Sequence, residues 1–354
     1  MKSMVYDETN LFRRSGSMAL DAWKLLDGTS ILFSGGTGFF GYWFLNVAKT
    51  MEKDHGIKVD FTLITRNSLA FRNRYPELAN WSHVEIVETD IRFIDLKGRL
   101  FDYIIHGATT SALETYEGET CINKFDTLYY GTRKVCEKLA GFEAKKLLFL
   151  SSGAVYGDVN ATSNISEDQA CSISSHVPMN GLAQGKRVAE YLCCEFSRRF
   201  HNDIAIARCF SFIGAELPFM LHYAVGEFVK KALNNEVIRI HSDGTVLRSY
   251  QHMSDLSAWI ATLLVFKTSH SIYNVGSDHG ISISELAKLV VKSIGSSSEV
   301  AIERGENSSI GNVPRRNYVP NIDRFKSEFH LGPGLSLVDS IRDYANWIRW
   351  KKGN

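Results

Sequence analysis

Neither sign of charge dominates this sequence. Its 354 residues hold 40 Lys and Arg against 39 Asp and Glu, a formal net charge of +1, which leaves no electrostatic case for binding nucleic acid or an anionic membrane surface. No apolar run reaches membrane-spanning length, and the first twenty residues lack the basic stretch followed by an apolar block that marks a secretory signal. Cysteine is scarce and badly placed for structure. Cys121, Cys136, Cys171, Cys193, Cys194 and Cys209 show no metal-ligand spacing, and the adjacent pair Cys193-Cys194 is a poor start for a disulfide framework. The expected compartment is a reducing cytoplasm, with no metal site. There is no internal repeat, low-complexity segment or long linker. A hydrophobic content of 44% and a charged content of 22% are those of an ordinary globular chain, long enough for two domains or for one domain with a lobe.

What is present concentrates in Ile31-Leu32-Phe33-Ser34-Gly35-Gly36-Thr37-Gly38-Phe39-Phe40-Gly41. A short apolar run feeds a glycine cluster, and residues 42–48 continue at helical spacing, so the stretch reads as strand, tight turn and helix. Gly36-x-Gly38-x-x-Gly41 fits a dinucleotide-binding turn. The first glycine allows the turn, the second lets the backbone approach a pyrophosphate, and the third lets helix pack on strand. Phosphates would sit on the N-terminus of that helix, where unpaired N–H groups and the helix dipole favour an anion. Gly35, Gly36, Thr37, Gly38, Phe39, Phe40 and Gly41 are therefore expected to touch a cofactor.

Residues 1–28 read as an N-terminal extension with a short helix over 19–26. Residues 59–65 make a second strand, and Arg66 follows it directly. An arginine there accommodates the 2′-phosphate of NADP, where an acidic side chain would bind the ribose hydroxyls of NAD; a solvated strand-end arginine is the alternative. NADP or NAD is the expected cofactor, NADP slightly favoured. A third strand over 83–90 places Asp90, with Ile91 beside it, near the adenine edge. A fourth over 101–109 ends in His106-Gly107-Ala108, whose small residues let a cofactor lie close. A helix over 123–141 and a strand over 145–150 lead into Ser151-Ser152-Gly153-Ala154-Val155-Tyr156-Gly157. A serine pair at a strand's carboxyl end sits where substrates bind, although such serines also form turns. In the next helix the spacing of four puts Leu182 and Lys186 on one face.

Strands alternating with helices give an α/β class, a Rossmann-type doubly wound parallel sheet over 29–210, with ligands at the carboxyl ends of its strands. The sheet's next strand is expected at 204–208. Residues 211–354 read mainly as a smaller C-terminal substrate lobe, some segments of which return to the Rossmann core. It is expected to hold helices over 224–233, from Asp255 and from near Ser284, strands over 237–241, 246–250 and 272–275, and a surface loop over 305–313.

These motifs, in this order, resemble the extended short-chain dehydrogenase/reductases that act on nucleotide sugars, a family of epimerases, 4,6-dehydratases, decarboxylases and 4-ketoreductases. The resemblance covers roughly residues 29–350. It rests on the glycine turn, Asp90, His106-Gly107-Ala108, the Ser151–Gly157 motif, Lys186, Arg248-Ser249-Tyr250 ahead of Asp255, and Tyr273-Asn274-Val275-Gly276. It implies a Ser or Thr, a Tyr and a Lys acting together. The tyrosine takes the sugar hydroxyl proton while hydride passes to the nicotinamide, the lysine holds the ribose and lowers the tyrosine's pKa, and the Ser or Thr orients the hydroxyl. By motif position these are Ser152 and Lys186, and the tyrosine position, four before the lysine, is Leu182.

Leucine cannot accept a proton. The resemblance leaves His176, which titrates near neutral pH when unperturbed, or Lys186 itself, if burial depresses its pKa, to replace the tyrosine; Tyr156 is expected to pack or to hydrogen-bond structurally. Dehydratases of this superfamily carry an acidic residue just after the Ser or Thr, and Gly153-Ala154 stands there, which disfavours dehydration. The resemblance also implies that Arg248 binds the nucleotide diphosphate, assisted by Arg315 or Arg316, since a guanidinium fork can bond two phosphate oxygens at once. His222, Tyr223 and Phe228 either line a base pocket or belong to the core. The family often places an asparagine where Ser211 lies, and no residue discriminates UDP, dTDP, CDP or GDP. The expectation is a nucleotide-sugar epimerase or 4-ketoreductase working at the sugar C4. It would form a homodimer through the helices containing 123–141 and 182–200, with no nucleic-acid or membrane partner. The alternative is a catalytically degenerate member that binds cofactor and nucleotide sugar in a regulatory or assembly role.

Overall fold

The computed structural model describes residues 6–96, 98–109, 118–142, 144–157, 163–177, 180–217, 223–303 and 317–353. Seven strands make one sheet: β1 (Thr29–Ser34), β2 (Val59–Thr65), β3 (Val84–Glu88), β4 (Tyr103–His106), β5 (Lys146–Ser152), β6 (Asp203–Cys209) and β7 (Ile272–Val275), in the order β7-β6-β5-β4-β1-β2-β3. Every pairing is parallel. The chain order reverses on either side of β1, so the crevice beyond the carboxyl ends of β1 and β4 is the switch point where such sheets bind ligands.

The principal helices are α1 (Thr9–Met18), α2 (Leu20–Leu26), α3 (Phe39–His55), α4 (Cys121–Phe142), α5 (Gly181–Phe200), α6 (Ala224–Leu233), α7 (Met253–Val265), α8 (Ile283–Ile294) and α9 (Leu337–Gly353). The strands are near-continuous apolar runs because helices cover both faces of a parallel sheet. Alternation along each strand then sorts the side chains into two layers. Leu147 and Phe149 of β5 join Leu32, Ile104 and Ile206 under α4 and α5. Leu148 and Leu150 join Ile31, Phe33 and Ile105 under α3 and α7.

Most boundaries agree with the periodicity; the departures have local causes. Two helices, not one, precede β1, and both are built into the second layer through buried Phe12, Trp23 and Leu26. Arg14 Nη1 donates to Asp255 Oδ1 at 2.7 Å, and Ser15 Oγ donates to the Ser254 carbonyl at 2.6 Å. The strand expected over 246–250 is only Leu247–Arg248, pairing antiparallel with Ile281–Ser282 and parallel with Asn317–Tyr318. Helix α7 starts at Met253, two residues early, because His252 Nδ1 caps it by accepting from the Ser254 N–H at 3.2 Å. A capping box sets the start of α8: Ser282 Oγ accepts from Glu285 N–H at 3.2 Å while Glu285 Oε2 accepts from Ser282 N–H at 3.0 Å. Phe228 is buried in the core. The loop over 305–313, Arg315, Arg316 and His222 lie outside the described residues. Among the described residues no helix is long and apolar enough to cross a membrane.

Candidate active site

At the end of β1 the chain turns through Gly35 and Gly36 into α3. Gly35 has φ +81°, and a Cβ on it would meet the Gly107 carbonyl carbon at 2.8 Å. The residue ahead of the G-x-G-x-x-G run therefore takes the left-handed turn, rather than Gly36. Gly41 is the close-packing glycine that the spacing predicts, since a Cβ there would fall 1.8 Å from the Gly36 oxygen. Gly38 is exposed, and a Cβ on it would meet only the Gly35 oxygen, at 3.4 Å. It is the N-cap of α3, where no side chain caps the helix and no acidic residue stands in the first turn. The orphan N–H groups and the positive end of the dipole are left for an anion, which fits the pyrophosphate of NAD(P). Thr37, Phe39 and Phe40 border this turn half-buried.

His106, at the end of β4, is fully buried between Ser34 Oγ, 2.6 Å from Nδ1, and Thr132 Oγ1, 2.9 Å from Nε2. Burial, and then the Lys186 charge, push it down to about 3, so the imidazole is neutral and ties β1 and β4 to α4. Gly107 and Ala108 follow it, half-buried. Asp90 accepts from the Arg92 N–H at 2.9 Å and pairs with Arg92 Nε and Nη2 at 3.0 and 2.7 Å. Partial burial raises this carboxyl, but the Arg92 hydrogen bonds outweigh it and hold the group below the usual range. Ile91 is buried, packing on Gly131 of α4. Arg66 is exposed one residue past β2, and its charge also favours ionised Asp90.

β5 runs on through both serines. Ser151 Oγ donates to Glu190 Oε1 on α5 at 2.5 Å, whereas Ser152 is half-buried and its Oγ accepts from the Ala154 N–H at 3.1 Å. Lys186 lies one turn before Glu190 and is 4% exposed. Its Nζ donates to the Leu150 carbonyl at 2.5 Å and stands 4.7 Å from the centre of the Phe149 ring. Burial pushes it down to about 8. Leu150 is two residues before Ser152, so Lys186 reaches β5 near the strand end that carries Ser152. Leu182 is half-buried a turn earlier on α5. His176 is not brought to them: it is exposed, 2.8 Å from Ser174 Oγ, and among the described residues no hydrogen bond joins it to Ser152 or Lys186. Tyr156 is buried and donates to Asn274 Oδ1 at 2.7 Å, a structural bond.

Arg248 is half-buried, with its guanidinium carbon 5.5 Å from the centre of the Tyr318 ring. That ring tilts against Phe210 at 4.7 Å. Two features of this region escaped the sequence reading. One is the buried ion pair of Arg208 on β6 with Glu190, 2.8 Å apart, with Arg208 also 4.7 Å from the Tyr156 ring centre; an arginine inside the apolar run 204–210 was its signal. The other is Tyr318 itself, on a two-residue strand too short to show any periodicity.

Known proteins share both sequence and fold with this chain. A profile of the NAD dependent epimerase/dehydratase family matches residues 31–276. UDP-glucuronic acid decarboxylase 1 of Xenopus tropicalis is 26% identical over 329 residues, covering 91% of this chain and 73% of that protein. UDP-glucuronic acid decarboxylase 6 of Arabidopsis thaliana is 26% identical over 321 residues, covering 88% of this chain and 86% of its own length. The fold is shared with UDP-glucose 4-epimerase of Thermotoga maritima, solved with UDP-glucose, at a TM-score of 0.74 and 19% identity over 92% of this chain and 100% of that one. It is shared too with UDP-glucuronic acid 4-epimerase of Bacillus cereus, solved with UDP-glucuronic acid and NAD, at a TM-score of 0.72 and 20% identity over 90% of this chain and 99% of the other. Because the family profile spans more than half of its length, the chain belongs to the NAD dependent epimerase/dehydratase family.

Proposed function

We propose that this protein is an NAD(P)-dependent nucleotide-sugar-modifying enzyme of the epimerase or 4-ketoreductase type, acting at the sugar C4. The observation that carries the reading is the convergence of Lys186 and Ser152 on the carboxyl end of β5, in a sheet whose β1 turn leaves the start of α3 uncapped. A bound nicotinamide cofactor would supply the acceptor or donor of hydride. Gly38 and the first turn of α3 would hold its pyrophosphate, and Lys186 its ribose. Ser152 Oγ would orient the reacting sugar oxygen, and Arg248, with Arg315, would bind the diphosphate. Exposed Arg66 supports NADP over NAD, because nothing acidic follows it directly at the end of β2. Exposed Ile122 and Tyr130 on α4 and Tyr191 on α5 support a homodimer built on those helices.

Leu182 favours a second reading, a binding module that has lost its chemistry. A single-turnover assay separates the two: purified protein is mixed with NADP or NAD and a panel of nucleotide sugars, and nicotinamide reduction is followed by near-ultraviolet absorbance. Reduction with any sugar is the expected result. Silence, also with reduced cofactor and 4-keto sugars, would leave the binding module. On the enzyme reading Leu182→Tyr raises oxidation of the sugar; loss of activity on that change would point to a dedicated alternative chemistry.

A further inference from the structure

On α5, Lys186 and Glu190 stand four residues apart, one turn of the helix, and both are buried. Two successive residues of β5 meet them. The Leu150 carbonyl accepts from Lys186 Nζ at 2.5 Å, and Ser151 Oγ donates to Glu190 Oε1 at 2.5 Å. Across the ladder, Arg208 of β6 is in register with Ser151, as Cys209 is with Ser152. Arg208 Nη2 donates to Glu190 Oε2 at 2.8 Å and its Nε to Oε1 at 3.1 Å. Its Nη1 donates to the Glu167 carbonyl at 3.2 Å. One carboxylate thus joins α5, β5 and β6, at the residue before Ser152 and one turn from Lys186.

Stability alone is a poor reason for such a pair. Two charges taken out of water gain little from each other on balance, and apolar side chains of similar volume often hold a fold as well. What an apolar pair cannot do is accept from Ser151 or place a fixed negative charge beside the Lys186 ammonium. Burial pushes Lys186 down to about 8, opposed by Cys209, then by Glu190 and Cys193. The two cysteines are neutral thiols: burial pushes Cys209 up to about 12, and the hydrogen bond with Cys136 raises Cys193. His106, facing from β4, is neutral as well. Glu190, the ion-pair partner of Arg208, is the anion of this set.

We infer that Glu190, fixed by Arg208, is a positioning residue for the reaction: through Ser151 it sets the backbone that presents Ser152 to the sugar oxygen, and across one helical turn it holds the Lys186 ammonium for the cofactor ribose. The inference rests on the C4 reading above. Glu190 touches neither sugar nor cofactor in it and acts through Ser151 and Lys186. Two effects follow from removing the carboxylate. The strand end is no longer tied to α5 by Ser151, and Lys186, having lost a negative neighbour, gives up its proton at lower pH.

The test uses the full chain and compares wild type, Ser151→Ala, and Glu190→Leu combined with Arg208→Met, which leaves neither charge buried without its partner. In single turnover with UDP-glucose and NAD or NADP, the wild-type rate should fall above about pH 8 as Lys186 loses its proton. The double variant should be about 10- to 100-fold slower, the usual scale for reacting groups held slightly out of place. Its alkaline limb should lie about one pH unit lower. Calorimetry should show NAD and NADP bound about 3- to 10-fold more weakly, with UDP affinity unchanged. Ser151→Ala keeps the charge pair, so its rate should fall about 3- to 10-fold with the alkaline limb unmoved. A folded double variant with the wild-type rate, pH profile and cofactor affinity overturns the inference and makes the pair a structural tie. Should that variant fail to fold, Ser151→Ala at the wild-type rate overturns it. A wild type that transfers no hydride with any sugar overturns the C4 reading, and cofactor affinity then decides the positioning: weakened in the double variant it supports the inference, and unchanged it overturns it.

Discussion

Replacing Lys186 by methionine should stabilise the fold near neutral pH while abolishing hydride transfer. The ammonium of Lys186 is buried, and its pKa falls from an ordinary 10.5 to about 8. At about 1.4 kcal/mol for each tenfold change in proton affinity, a gap of about 2.5 in pKa means that holding the charge costs the folded state about 3 kcal/mol. Between about pH 8 and 10.5 the unfolded chain keeps a proton that the folded chain has lost, so wild-type stability rises with pH through that window; below it the full cost is present. Methionine keeps an unbranched chain over Phe149 and carries no charge. It also gives up the bond to the Leu150 carbonyl, a loss of about 1–1.5 kcal/mol. The variant should therefore gain about 1–2 kcal/mol near pH 7, and that gain should vanish or reverse by pH 10.5. Urea unfolding followed by tryptophan fluorescence at both ends of the window measures this directly. A Lys186→Met protein less stable than wild type near pH 7 would show that the ammonium is well solvated where it sits and would refute the desolvation argument.

Glu190→Ala should cost about 3–5 kcal/mol in urea unfolding, because it leaves Arg208 charged and buried and takes the acceptor from Ser151. Glu190→Leu combined with Arg208→Met should recover most of that loss, and a double variant no better than Glu190→Ala would contradict the account. Gly41→Ala sets a methyl 1.8 Å from the Gly36 oxygen, so cofactor titration should show affinity reduced at least about tenfold and unfolding should show a loss of about 1–3 kcal/mol; affinity within twofold of wild type would mean that the turn absorbs the methyl. Ile122→Glu with Tyr191→Glu should leave light scattering reporting a monomer if α4 and α5 form the dimer face, and unchanged mass would send the search to another surface.

Much of the fold was legible because it is written in short-range chemistry. The apolar run before Gly35 and the four residues Ile272–Val275 each fall where a strand is found, and Ser282 with Glu285 writes the start of a helix in the sequence. The site was legible where a backbone requirement dictates a residue type, as at Gly41, or where one helical turn separates partners, as for Leu182 and Lys186. What stayed hidden depends on distant segments meeting. The left-handed residue proved to be Gly35 because Gly107, from another strand, leaves no room for a Cβ. Nothing in the strand that carries Arg208 names its partner, because Glu190 reaches it from a neighbouring helix. Tyr318, whose Oη a Cβ on Gly153 would meet at 2.8 Å, lies 165 positions beyond that glycine on a strand of two residues, and no pattern in either stretch announces the other.

Asp255 sets a boundary that resemblance alone would put elsewhere. The carboxylate is wholly buried; one oxygen is held by Arg14 and the other accepts from the Gly334 and Leu335 N–H groups. One anion thus clasps the front of the chain, the middle and the back. The family profile begins at residue 31, and a truncation cut to that outline would take away Arg14 together with Trp23 and Leu26. The anion at the middle of the clasp would keep its two amides and lose the Arg14 cation, at the end of a helix that packs directly on the sheet. The part of the chain that packs together is therefore longer than the part the family profile matches, and residues 6–28 belong to it as a strut.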